Sequence, residues 1–195
     1  QYRRQFLLSP IECVKLQAWK FSKLGIYNLY VHPDTLLDTV GNESKSIQLS
    51  VVGNIINPHN PNESNADILK NILQDISITT IGKKLYHYAG RFVLIIKIAD
   101  EYYIFHDACG LKMVFYTKHE NQLFAASQPL LLKEVIPLKE GDRYFQYQES
   151  NHRKTDIEFW IPSGCSLYED VYHLVPNHYL DFSSFKQTRF WPNKK

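Results

Sequence analysis

The chain has 195 residues, enough for one domain that buries roughly 70% of its unfolded surface, so neither a disulfide nor a metal is needed to hold a core. Its 44% hydrophobic and 22% charged residues are ordinary for a soluble globular protein, and the 11 phenylalanines and 13 tyrosines favour β structure. Net charge is +2 without a basic cluster, so nothing electrostatic points to nucleic acid; Arg3-Arg4 and Lys194-Lys195 read as solvated ends.

Cys13, Cys109 and Cys165 are odd in number, far apart and without a CxxC spacing. That pattern argues against a disulfide framework or a metal site and for a reducing, cytoplasmic compartment. No apolar run approaches the ~20 residues of a membrane helix, so no membrane association is expected. The opening QYRRQFLLSPIE carries only a three-residue apolar patch, too short for a signal peptide, and it starts on glutamine as a trimmed fragment would.

In chain order, residues 1–25 follow neither helical nor strand spacing cleanly. Gly25–Val31 predicts a strand stopped by His32-Pro33-Asp34, and residues 33–42 read as loop or a short helical turn. A second strand spans about Ser46–Ile56 with Gly53 inside it, where a glycine marks a bulge or a close strand crossing. Residues 58–64 form a proline-bearing loop. Ser64 or Asn65 then caps a helix with Asp67 near its positive end and Ile68, Leu69, Ile72 and Leu73 as its apolar stripe. Thr79–Ala89 predicts a second helix ended by Gly90.

The stretch Gly90–Ser127 is expected to be an antiparallel meander. Phe92–Ile96 is apolar enough for a strand buried on both faces. Tyr102–His106, Leu111–Thr117 and Gln122–Ser127 follow, the first two joined through Asp107-Ala108-Cys109-Gly110, where glycine enters a conformation costly for other residues. Short helices are expected at Pro129–Val135 and Gly141–Glu149, and a charged loop at 150–156.

The ordered set Gly90, Phe92, Asp107, Gly110, Lys112, Phe115, Tyr116, Ala126 and Ser127 resembles the N-terminal class II glutamine amidotransferase domain of asparagine synthetases. That family shows Gly-x-Phe-Ala-Phe, then Arg-Asp-x-x-Gly-x-Lys-Pro-Leu-Tyr-Tyr, then Ala-Ser. His106 and Met113 depart from it. Tyr168, Val171, Leu174, Pro176 and Arg189-Phe190-Trp191 extend the likeness, which covers about residues 47–192 of a single domain over 1–195 and leaves 1–46 open. The resemblance implies an Ntn-hydrolase-like α+β fold, a four-layer αββα sandwich of two mostly antiparallel sheets flanked by helices.

It also implies where a glutamine pocket would lie. Val51–Asn57 overlays the family's Val-Asn-Gly-Glu-Ile-Tyr-Asn, whose asparagine side chain and glycine N–H form the oxyanion hole. Gly53 is kept, but Val52 stands at the asparagine and offers no donor, a loss worth ~100–1000-fold in rate. Asn65 lies near the family's aspartate that holds the amino group of glutamine, with Asp67 beside it, although a helix-capping role explains it as well. Val52, Gly53, Asn65 and Asp67 therefore mark a vestigial oxyanion and glutamine pocket, and Gly90, Asp107 and Gly110 a structural turn motif.

The family's nucleophile is an N-terminal cysteine whose α-amino group is its base. Here residue 1 is Gln1, Cys13 sits in Ile-Glu-Cys-Val-Lys, and no His-Arg-Gly-Pro-Asp loop occurs. His106, Asp107 and Cys109 could be read as a nucleophilic cluster, but a turn role for Asp107 is the simpler account. No catalytic residue and no cofactor is expected in this domain. The resemblance leaves a catalytically degenerate domain of an asparagine-synthetase-like enzyme, with ATP and Mg²⁺ only if a C-terminal synthetase domain follows. Alternatively the chain is a stand-alone binding or scaffold protein for a small amino-acid or peptide ligand, or, more distantly, an active glutaminase using Cys13.

Overall fold

The computed structural model describes residues 2–155, 161 and 164–192. The readings made at Gln1, Asp156 and Lys194-Lys195 lie outside those residues. The described residues build twelve strands, in two six-stranded sheets, and five α-helices. Strands β1 (Phe6–Ser9), β2 (Lys20–Leu24), β3 (Tyr27–Val31), β8 (Phe115–His119), β9 (Gln122–Ala126) and β10 (Val171–His173) form the first, in the order β10-β8-β9-β1-β3-β2. Strands β4 (Leu37–Asn42), β5 (Ile47–Ile56), β6 (Ala89–Ile98), β7 (Glu101–His106), β11 (His178–Asp181) and β12 (Lys186–Arg189) form the second, in the order β12-β11-β7-β6-β5-β4. Every registered strand pair is antiparallel.

Side-chain alternation along the central strands builds the layers. On β6, Val93 and Ile95 face the other sheet, while Phe92, Leu94 and Ile96 face the helices α1 (Asn65–Gln74) and α2 (Ile78–Leu85). On β1 and β9, Phe6, Leu8, Leu123 and Ala125 enter the same inter-sheet layer. Leu7, Phe124 and Ala126 point the opposite way, toward Leu131 and Leu132 of α3 (Pro129–Leu132). A period of two on strands with both faces covered thus gives three apolar layers between four layers of structure, the expected αββα sandwich. Both faces of Phe92–Ile96 are buried because each has a different partner. Among the described residues no helix is long and apolar enough to cross a membrane.

The structure corrects several local expectations. Residues 33–42 hold the edge strand β4, paired along its length with β5. Residues 1–25, which follow no clean period, supply β1 at the centre of the first sheet and β2 at its edge. The second helix stops at Leu85, and Gly90 lies inside β6 instead of ending a helix. The stretch 90–127 is two hairpins in different sheets: β6–β7 in the second, β8–β9 in the first. Turn chemistry between β7 and β8 sends the chain across the sandwich, which strand periodicity alone does not reveal. The charged segment after Ser150 is helical over α5 (Asn151–Thr155), following α4 (Asp142–Glu149), and neither helix buries a residue. Asn177 adopts φ +63°, the left-handed turn its side chain tolerates.

Two glycines set the bend where β5 meets β6. Gly53 has φ +103° and Gly90 φ +119°, and they lie on facing strands, Gly53 opposite Phe92 and Gly90 opposite Ile55. A Cβ at Gly53 would overlap the carbonyl oxygen of Arg91, and one at Gly90 the carbonyl oxygen of Asn54. Gly53→Ala therefore combines a disfavoured φ with a backbone clash and should cost about 2 kcal/mol or more. Urea unfolding would show this as a lower midpoint with an unchanged slope.

Candidate functional site

A cleft of about 490 Å³ opens at one end of the inter-sheet layer, where five segments converge. Arg3–Gln5 leads into β1, Asp34–Leu36 joins β3 to β4, and Gly53-Asn54 with Arg91 forms the β5–β6 bend. Lys112-Met113 crosses between sheets, and Ser127 ends β9. Phe6 N–H donates to Ser127 Oγ (3.0 Å), and the hydroxyl donates back to Phe6 O (3.3 Å), which ties the mouth of β1 to the end of β9.

Lys112 reaches the cleft because of the turn before it. The buried Asp107 carboxylate accepts from Leu111 N–H through Oδ1 and from Lys112 N–H through Oδ2, both at 2.9 Å. Gly110 N–H donates to Asp107 O (2.9 Å), and Gly110 holds φ +64°, so the turn is closed from both sides. The predicted turn motif is thus present at Asp107 and Gly110. No hydrogen bond joins the Asp107 carboxylate to the side chains of His106 or Cys109: His106 Nε2 meets Val175 O (3.0 Å), and Cys109 is exposed beside Tyr86, Tyr88 and Trp191.

Of the four residues expected to share a pocket, the structure places one in the cleft. Gly53 lines it, yet its N–H donates to Leu36 O (2.9 Å). The Val52 side chain is fully buried in the inter-sheet layer. Asn65 is buried behind the bend. Its Nδ2 donates to Gly53 O (2.9 Å) and Asp38 Oδ2 (3.0 Å), and its Oδ1 accepts from Ile55 N–H (3.1 Å), so it braces β5 from the first turn of α1. Asp67 lies in that turn on the exposed surface, its N–H capped by Ser64 Oγ, and the Ser64 hydroxyl and then Lys70 hold its carboxyl below its ordinary value. The cysteines lie elsewhere. Cys13 is buried among Leu16, Leu131 and Leu132 on the outer face of the first sheet, where burial pushes its thiol up.

What sequence reasoning missed is a grouping of cations, since it took Arg3-Arg4 as solvated ends and Lys112 as a motif residue. Arg3, Arg4, Arg91 and Lys112 line the cleft against one carboxylate, Asp34, which pairs with Arg3 (Nε–Oδ2 2.6 Å). Lys112 is 9% exposed and donates from Nζ to Arg4 O at 3.3 Å. Burial first, and the nearby Arg91 second, lower it from its ordinary 10.5 to about 8. No sequence signal groups these residues, since Arg4 and Lys112 are 108 positions apart.

Replacing Asp107 by Ala strands two backbone donors, Lys112 N–H among buried groups, and should cost about 2–3 kcal/mol in chemical unfolding. A pH series isolates Lys112. Between about pH 8 and 10.5 the unfolded chain binds the proton that the folded chain has released, so stability rises with pH across that window. Lys112→Met should lack that rise, so the stability of the variant relative to wild type should fall between about pH 8 and 10.5.

No protein-family model matches the chain, and no curated protein matches it. Among solved structures it is similar to that of the allosteric regulatory enzyme of purine biosynthesis, with a TM-score of 0.53 and 12% identity, over 98% of this chain and 44% of that one. The present chain spans less than half the length of that enzyme. At this identity the likeness is one of fold, and it includes residues 1–46 as well as the region that carries the motif resemblance. The chain shares with that enzyme an α+β sandwich of two antiparallel sheets flanked by helices.

Proposed function

We propose that the chain is a catalytically degenerate glutamine amidotransferase-like domain, acting as the N-terminal part of an asparagine-synthetase-like, ATP-dependent amide-forming enzyme. One observation carries the degeneracy. Both positions that would supply the oxyanion hole are committed elsewhere, the Val52 side chain to the core and the Gly53 N–H to Leu36 O. A tetrahedral intermediate in this cleft would meet neither preorganised donor, and each missing donor costs ~100–1000-fold. The described cleft lining contains no thiol, and its hydroxyl at Ser127 is engaged with the Phe6 backbone. The motif set at Gly90, Asp107, Gly110 and Lys112 supports the asparagine-synthetase side of the reading. Chemistry would then reside in a synthetase domain that binds ATP and Mg²⁺.

A second reading, a binding module that keeps the fold without the reaction, is favoured by the cationic cleft. Two measurements separate these possibilities. Incubation with glutamine should release no ammonia above the protein-free control, and release that disappears in Cys13→Ala would overturn the degeneracy. An immunoblot of the native polypeptide should show a mass well above 22.9 kDa. A native band at that mass would overturn the synthetase partnership and leave the binding module.

A further inference from the structure

We propose that the cleft at Gly53 binds a small, non-aromatic oxyanion bearing two or more negative charges, held by Arg4, Arg91 and Lys112. This rests on the cleft no longer turning over glutamine, and it names what occupies the space instead.

Charge imbalance is the first argument. Asp34, the carboxylate in the lining, is paired with Arg3. Among the described residues, none of Arg4, Arg91 and Lys112 has a carboxylate within ion-pair distance. Arg91 donates from Nε to Leu111 O (3.0 Å), and its terminal nitrogens bond no described residue. The Arg4 guanidinium makes no hydrogen bond among the described residues, while its backbone oxygen receives the Lys112 ammonium. A lysine buried to this degree with one long hydrogen bond is costly unless an opposite charge arrives. The nearby Asp107 charge partly offsets this, but its carboxylate binds the two N–H groups of its own turn and lies beyond ion-pair distance of the ammonium.

Shape and lining identify the ligand class. At about 490 Å³ the cleft falls in the range of small-molecule sites. Two guanidinium groups offer the planar donor forks that match carboxylate and phosphate oxygens, and Lys112 adds a point charge at the floor. Three unpaired cations call for more than one negative charge. No aromatic side chain among the described residues lines the cleft, so they offer no surface for stacking a nucleobase. The overall charge of +2 gives no wider basic track for a nucleic acid.

The cations come from three separated segments: the lead into β1, the start of β6 and the crossing after β7. The fold holds them against their mutual repulsion, which Arg91 already exerts on Lys112. An oxyanion between them removes that repulsion and ties both sheets together.

The test uses the full chain with pyrophosphate and citrate as probes, each compared with sodium chloride at matched ionic strength. Thermal unfolding should shift upward with at least one probe, and which of the two does so tells phosphate from carboxylate recognition. Arg4→Gln and Arg91→Gln, both at exposed positions, should each weaken binding about tenfold in calorimetric titration. Brief acetylation read by peptide mass spectrometry gives an independent result: the effective probe should protect Lys112 and leave the exposed Lys118 unprotected. No shift with either probe, or a shift undiminished in the double variant, would overturn the proposal. Ammonia release from glutamine would instead overturn the functional reading, while the binding titration would still report on the anion site.

Discussion

The carboxylate of Asp107 is the interaction on which the arrangement of this molecule turns. It leaves β7 in one sheet and accepts two consecutive backbone N–H groups, which bends the chain through Gly110 toward the other sheet. A buried carboxylate is costly unless its oxygens are satisfied, and here the satisfying donors are the backbone of the crossing itself. The turn thus holds the sandwich in register and places Lys112 at the floor of the cleft. Fold and site share one residue.

The second constraint is the bend of β5 against β6. Gly53 and Gly90 take conformations closed to other residues, and the strands approach so closely that no side chain fits between them. Asn65 uses both amide donors and its oxygen to hold that bend from the helix side. The same bracing consumes Gly53 O, and the neighbouring segment consumes Gly53 N–H. Both backbone polar groups of Gly53 are thereby satisfied within the protein. The cleft beside it is lined by Arg3, Arg4, Arg91 and Lys112, of which only Arg3 has a carboxylate partner among the described residues.

Much of the fold was legible in the residues. The apolar run at Phe92–Ile96 identified a strand covered on both faces, Ser64 marked the start of α1, and the Asp107–Gly110 spacing identified a turn whose carboxylate serves backbone groups. These features are local, set by alternation, capping and turn chemistry over a few residues. The early strands were less legible. β1 is four residues long and buried throughout, so it shows no alternation to read, and β2 is an edge strand whose side chains are mostly exposed. The division of Gly90–Ser127 between two sheets was hidden for another reason. A hairpin pattern specifies pairing within each pair of strands and is silent on which sheet receives the next pair.

The site divides along the same line. The sequence by itself determined that the side chain at position 52 carries no donor, that a glycine inside the strand at 53 marks a bulge or close crossing and that an Asp107 turn is expected, because these depend on the chemistry of single residues and their neighbours. Only the tertiary structure decided that the Gly53 N–H is already bonded, that Asn65 faces inward as a brace, and that Arg4, Arg91 and Lys112 share one cleft. Those facts depend on which distant segments the two sheets bring to the same end of the sandwich, and a linear pattern holds no record of contacts across 108 positions.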